Sequence, residues 1–227
     1  MKFIPILFST PMVQAIIEGR KTMTRRVIKP QPILGENRVW QGKGKSCSFG
    51  FTTESATEMY KLNGSCPYGQ IGDVLWVRET FLKHPIPNEG YKFKANYSIE
   101  QLNTSIFKNK ILKWKPSLFM PKAACRIFLK ITEIRVERLQ DITNEDSLKE
   151  GIEIGETVKS PLSDNNLQTY KNYLSDEFKW YAPKLSFNTL WQSINGKDSW
   201  EANPWVWVIC FERIEKPTGL KYFFFRN

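Results

Sequence analysis

The sequence predicts an α+β domain: a small mixed β-barrel with short flanking helices and helical or loop insertions. Apolar strand patterns open the chain at 3–8, recur at 72–81 and 124–131, and close it at 203–214. Short helical patterns with recognisable start and stop residues fall between them. Hydrophobic residues make up 41% and aromatics 14%, which is enough for a sizeable core and argues against a disordered chain.

The first strand covers 3–8. Its "MKFIPILFS" could imitate a secretory leader, but the apolar run ends at Phe8 and Pro11 follows, so it reads as a strand and the expected location is cytoplasmic. Thr10 and Pro11 start a helix, as an N-cap followed by a proline in the first turn. Met12, Val13, Ile16 and Ile17 give that helix its apolar stripe, and Gly19 ends it in the left-handed conformation. A second strand runs through Val27 and Ile28.

Residues 31–65 are rich in Gly, Ser, Asn and Thr and read as an excursion. "GQIGDVLWVRETF" (69–81) is a turn followed by a buried strand, and "YKFKANY" (91–97) is a half-exposed strand. In "ACRIFLKI" (124–131), Cys125, Ile127, Leu129 and Ile131 share one face. The apolar positions then move to Ile134 and Val136, a phase change that requires a bulge or a break. Thr143 and Asp146 form a capping box for a helix that stops at Gly151. Two further helical patterns fall around 165–180 and 184–194. "NPWVWVICFERI" is apolar on both faces, as a central strand is. One domain over 1–214 follows, with insertions at about 31–65, 82–111 and 153–203, and an aromatic tail at 215–227.

Charge is unevenly distributed. Residues 1–130 hold 21 Lys and Arg against 8 Asp and Glu, whereas 131–178 hold 5 against 11. The net charge of +10 and its basic bulk suggest a polyanion partner such as RNA. No run approaches the ~20 apolar residues of a membrane span. Cys47, Cys66, Cys125 and Cys210 are scattered without a CxxC pair and His84 is the single histidine, so neither a metal site nor a cofactor is expected.

The stretch "EGRKTMTRR" (18–26) places two threonines among Arg20, Lys21, Arg25 and Arg26, a pattern suited to a polar or anionic ligand. Gly19, Lys21 and Arg26 stand in the spacing GxKxxxxR. With "GDVLWVRETF" (72–81), "MPKAACRIFLKITEIRVERLQDIT" (120–143) and the closing "NPWVWVICFERI", the chain resembles the ASCH domain family of the PUA-like superfamily. These pieces span about half the chain. The insertions, with "LWQSINGKDSWEANPW" (190–205), are similar to those of the longer ASCH proteins often carried by phages and prophages.

The resemblance implies a β-barrel that binds RNA or modified bases. It also implies a more specific activity, because compact bacterial ASCH proteins are amidohydrolases that deacetylate N(4)-acetylcytidine. Their functional residues are a lysine, a threonine three positions later, and a glutamate ending a helix after the long strand. Lys21 and Thr24 match without a gap. Glu150 matches the glutamate, with Glu145 as its rival. Gly19, Arg20, Arg26, Trp76, Arg78 and Glu79 are the candidate substrate contacts, and Trp114, Tyr68 and Phe119 are candidates for stacking on a base.

Amide hydrolysis needs a nucleophile, a base and a stabiliser of the tetrahedral oxyanion. Thr24 supplies a hydroxyl. Lys21 serves as base if burial and Arg20, Arg25 and Arg26 lower its pKa from about 10.4. Alternatively Lys21 stays charged and Glu150 is the base, and the sequence leaves both open. In a straight strand, positions 21 and 24 face opposite sides, so one shared pocket requires the chain to turn after Gly19. A non-catalytic module for RNA or a modified base is the alternative function. A ribonuclease is a third, disfavoured because His84 stands alone and outside the motif.

Overall fold

The computed structural model describes residues 1–34, 40–43, 48–51, 66–83, 90–103, 113–160 and 163–217. His84, Cys47 and the tail beyond Pro217 lie outside them, as do parts of all three expected insertions.

The protein is a mixed α+β fold organised on one five-stranded sheet in the order β1-β6-β9-β13-β2. β1 (Phe3–Leu7) runs parallel to β6 (Val74–Arg78), and every other pairing in the sheet is antiparallel. Helix α1 (Thr10–Ile17) follows β1 and delivers the chain to β2 (Met23–Val27) at the opposite edge. Among the described residues β1 and β2 are not paired, so the sheet is open and no closed barrel is present.

β13 (Trp205–Ile214) lies between β9 (Phe128–Arg138) and β2, which accounts for its two apolar faces. Trp205, Trp207 and Ile209 point into a core shared with α1 residues Val13 and Ile16. Val206 and Val208 point into a second core with Met23, Leu139, Phe187 and Trp191. β9 is one strand with a bulge: Cys210 opposes Glu133 and Phe211 opposes Ile131, which leaves Thr132 as the extra residue. The bulge restores phase, so Leu129, Ile131, Ile134 and Val136 all reach the first core.

Helix α1 begins one residue earlier than Thr10 as a cap would set it: Ser9 is the N-cap and Pro11 lies in the first turn. Gly19 closes it at φ +78. The single-turn helix α2 spans Ile99–Leu102. Helix α3 (Asn144–Lys149) opens with the expected capping contact, in which the Asp146 amide donates to Thr143 Oγ1 at 3.1 Å. Helix α4 (Pro183–Asn195) occupies the 184–194 pattern.

The helix expected around 165–180 is instead a hairpin. β10 (Ile154–Lys159), β11 (Asn166–Asn172) and β12 (Glu177–Trp180) form a separate antiparallel sheet. Leu167, Tyr170 and Leu174 mimic helical spacing, but the chain reverses through Asp176 at φ +60 and Tyr170 pairs with Trp180. The 31–65 segment contributes β3 (Ile33–Leu34), β4 (Trp40–Lys43) and β5 (Ser48–Phe51) as a third sheet. "YKFKANY" gives only the short strand β8 (Tyr91–Phe93), paired with β7 (Phe81–Lys83), before a 3-10 turn at Lys94–Asn96.

Candidate functional site

The segment between α1 and β2 turns after Gly19, as a shared recess requires. The Lys21 amide donates back to the Ala15 carbonyl at 3.0 Å, and the Thr22 amide donates to the Lys149 carbonyl at 2.9 Å. Lys21 and Glu150 consequently face each other as an isolated antiparallel bridge. Glu150 is the C-cap of α3, and Gly151 beyond it adopts φ +87. A Cβ at Gly151 would stand 2.8 Å from Lys21 Cβ and 2.9 Å from Ala15 Cβ. Glycine there permits the close approach of α3 to the α1–β2 turn.

The Lys21 side chain is fully buried. Its ammonium donates at 2.8 Å to each of three acceptors: the Met23 carbonyl, the Glu150 carbonyl and Glu150 Oε2. Burial is the main influence lowering the Lys21 pKa. Glu150 opposes it, and Arg26 and Arg25 reinforce it. Glu150 Oε1 accepts from Arg25 Nη1 at 3.2 Å. Of the two rival acids, Glu150 is therefore the one beside Lys21, while Glu145 is exposed.

Arg25 extends the cluster. Its Nη2 reaches Glu137 Oε2 and Asp146 Oδ2, each at 3.0 Å. Arg135 pairs with the same two acids. Lys21, Arg25 and Arg135 thus face Glu137, Asp146 and Glu150. These charges balance in sign, as a largely buried cluster requires, and the more exposed Glu133 and Lys149 pair at its edge with Arg135 and Asp146.

Beside this cluster lies a cleft of about 310 Å³. Thr24, Arg25, Arg26 and Val27 line it from β2, Glu150 from the end of α3, Met12 from α1, and Tyr68 from the turn before β6. One face of α4, with Phe187, Leu190, Trp191 and Ile194, forms the far wall. Residues from both faces of β2 reach the cleft because β2 is an edge strand. Thr24 and Glu150 share the cleft. Lys21 is not exposed to it and reaches it through Glu150.

The remaining sequence candidates are distributed elsewhere. Arg20 donates to the Gly151 carbonyl at 2.7 Å and pairs with Glu18, so it ties the Gly151 turn to α1. Arg26 lines the cleft, lies 5.3 Å from the Phe8 ring centroid and donates to the Leu7 carbonyl. Trp76, Arg78 and Glu79 belong to β6 and the turn after it, and β9 and β13 separate β6 from β2. Trp76 packs in a third apolar cluster with Arg78 over its ring. Glu79 is buried in a two-pronged pair with Arg126, both contacts at 2.8 Å. Phe119 is exposed and Trp114 meets Tyr97 edge-on, both away from the cleft lining.

Sequence reasoning missed Arg25 as a structural hub, its partners Glu137 and Asp146, and the α4 wall. One signal existed: Asp146 and Glu150 stand four apart and so share a face of α3. Among the described residues, no group of three or more His, Cys, Asp or Glu is placed to hold a metal ion. No described helix is long and apolar enough to cross a membrane. A scan against protein-family models, a search of curated proteins and a search of solved structures each return no match to this chain.

Proposed function

We propose that the cleft is a metal-independent amidohydrolase site for an acylated nucleoside or base, with N(4)-acetylcytidine as the first substrate to test, in a PUA-like ASCH domain. The observation that carries this reading is the buried Lys21–Glu150 pair, whose acid lines the same cleft as Thr24.

The geometry favours one division of labour. An ammonium has three N–H donors and no acceptor, and all three donors of Lys21 are engaged. Glu150 offers about four lone-pair sites and has two side-chain donors, Lys21 and Arg25. In this reading Glu150 accepts the Thr24 proton, because it keeps acceptor capacity that Lys21 lacks, while Lys21 and Arg25 fix the carboxylate in place. Thr24 Oγ then adds to the acyl carbon and the C–N bond breaks. The proton held by Glu150 passes to the departing amine. Water cleaves the resulting ester, releasing the acid and restoring Thr24.

Acetate release from N(4)-acetylcytidine tests the reading. Wild type should turn over, Thr24→Ala and Glu150→Gln should each lose at least about a hundredfold in kcat, and circular dichroism should show both folded. Turnover by Thr24→Ala at the wild-type rate removes the nucleophile. A Lys21 with all three donors engaged and a Glu150 held by two cations also suit a binding module that performs no chemistry. Tight nucleoside binding without acetate release would select that second reading.

A further inference from the structure

The cations around the cleft fall into two sets. Lys21, Arg25 and Arg135 are matched by Glu137, Asp146 and Glu150. Arg26 and Lys29 also line the cleft, and among the described residues neither makes an ion pair. Arg26 spends Nη2 on the Leu7 carbonyl at 2.9 Å, and its Nε is buried without an acceptor among the described residues. The Phe8 ring beneath it attracts the cation but does not neutralise it. Burial is the first cause lowering the Arg26 pKa, with Tyr68 and Glu150 opposing it at longer range without an ion-pair contact. The acid lining the cleft, Glu150, is already shared between Lys21 and Arg25.

We propose that the cleft takes a ligand bearing a phosphate group, held between Arg26 and Lys29, with its uncharged end directed toward Thr24 and Glu150. Two positive charges without an ion-pair partner among the described residues suit the dianion of a phosphate monoester, to which a guanidinium and an ammonium donate charge-assisted hydrogen bonds. Lys29 is exposed and marks the rim, where a charged group keeps part of its hydration. The apolar α4 wall, with Leu190 and Trp191, and Tyr68 across the cleft suit a flat, poorly hydrated ring deeper in. The ring's identity as a nucleobase rests on the proposed function, whereas the phosphate contact needs no chemistry at the acyl group. The same phosphate can be that of a free nucleotide or the 5′ end of an RNA strand.

Calorimetry on the full chain at low salt tests this with inorganic phosphate, cytidine, cytidine 5′-monophosphate and a short 5′-phosphorylated oligoribonucleotide. Cytidine 5′-monophosphate should bind roughly tenfold or more tightly than cytidine, with the preference shrinking as salt rises. Arg26→Gln and Lys29→Gln should each reduce it. Lys29→Gln alters an exposed side chain, so it remains informative if Arg26→Gln, which loses the Leu7 contact, fails to fold. A stronger response to the nucleotide points to a free metabolite, and a stronger response to the oligonucleotide points to an RNA end. Equal binding of cytidine and its monophosphate, no binding by any probe, or an undiminished preference in Lys29→Gln overturns the proposal. A phosphate preference without acetate release leaves it intact while removing the hydrolase.

Discussion

Lys21 and Glu150 are joined twice: their backbones form an antiparallel bridge, and Lys21 Nζ donates at 2.8 Å to both the carbonyl and the carboxylate of Glu150. The end of α1, the start of β2 and the end of α3 therefore meet at one buried ammonium. Removing it alone leaves a carboxylate that is 4% exposed with Arg25 as its remaining cationic partner. Lys21→Met should cost about 3–5 kcal/mol. The double variant Lys21→Met with Glu150→Leu should cost clearly less than the two single changes summed, because neither charge is then left unpaired. Urea unfolding of all four proteins measures the coupling, and simple additivity would show that the pair is not energetically linked.

Arg25 is the only side chain in direct contact with Glu150, Asp146 and Glu137 together among the described residues. A lysine at this position carries the same charge but not the planar fork that spans three carboxylates. Arg25→Lys should lower stability by about 3 kcal/mol, read as a fall in the urea midpoint at constant slope. A variant as stable as wild type would mean that the acids find sufficient compensation in Arg135 and water.

Two glycines flank the site and should respond differently to alanine. Both have positive φ, Gly19 at +78 and Gly151 at +87. A Cβ on Gly19 meets nothing within 4 Å, whereas one on Gly151 collides with Lys21 and Ala15. Gly19→Ala should cost about 1 kcal/mol from the backbone alone. Gly151→Ala should exceed it by about 2 kcal/mol, because packed Cβ atoms must separate. Equal melting temperatures for the two variants would contradict this difference in packing.

The elements that the sequence revealed are those whose signals are local. Capping at Thr143, termination at Gly19 and Gly151, and the two-faced β13 each follow from a few adjacent residues. The bulge at Thr132 was legible because a one-residue slip moves every later side chain to the other face. The 165–180 hairpin was not, since Leu167, Tyr170 and Leu174 satisfy helical spacing and the reversal depends on Asp176 taking a left-handed conformation. Within the site, Lys21, Thr24 and Glu150 could be nominated from sequence. The role of Arg25 could not, because its partners Glu137 and Asp146 are separated from it by 112 and 121 residues. The α4 wall was hidden for the same reason. Trp191 reads as an ordinary core residue until β2 is seen to be the sheet edge beside it.

Cys66 gives the fold a defined alkaline sensitivity next to the cleft residue Tyr68. The side chain is buried in the first core, 6% exposed, and burial pushes its thiol pKa from 9.0 up to about 12. The folded protein thus keeps the proton after the unfolded chain has lost it. The associated stability is complete below about pH 9 and is lost as pH rises toward about 12, at up to about 1.4 kcal/mol per unit. Cys125 contributes in the same sense, with its thiol raised to about 11. Cys66→Ala removes one of these contributions, so its unfolding free energy should fall less steeply than that of wild type between about pH 9 and 10.5. Near neutral pH the variant should be the less stable of the two, through lost packing. Urea titrations across that range compare the slopes, and parallel curves would place the Cys66 thiol in contact with water.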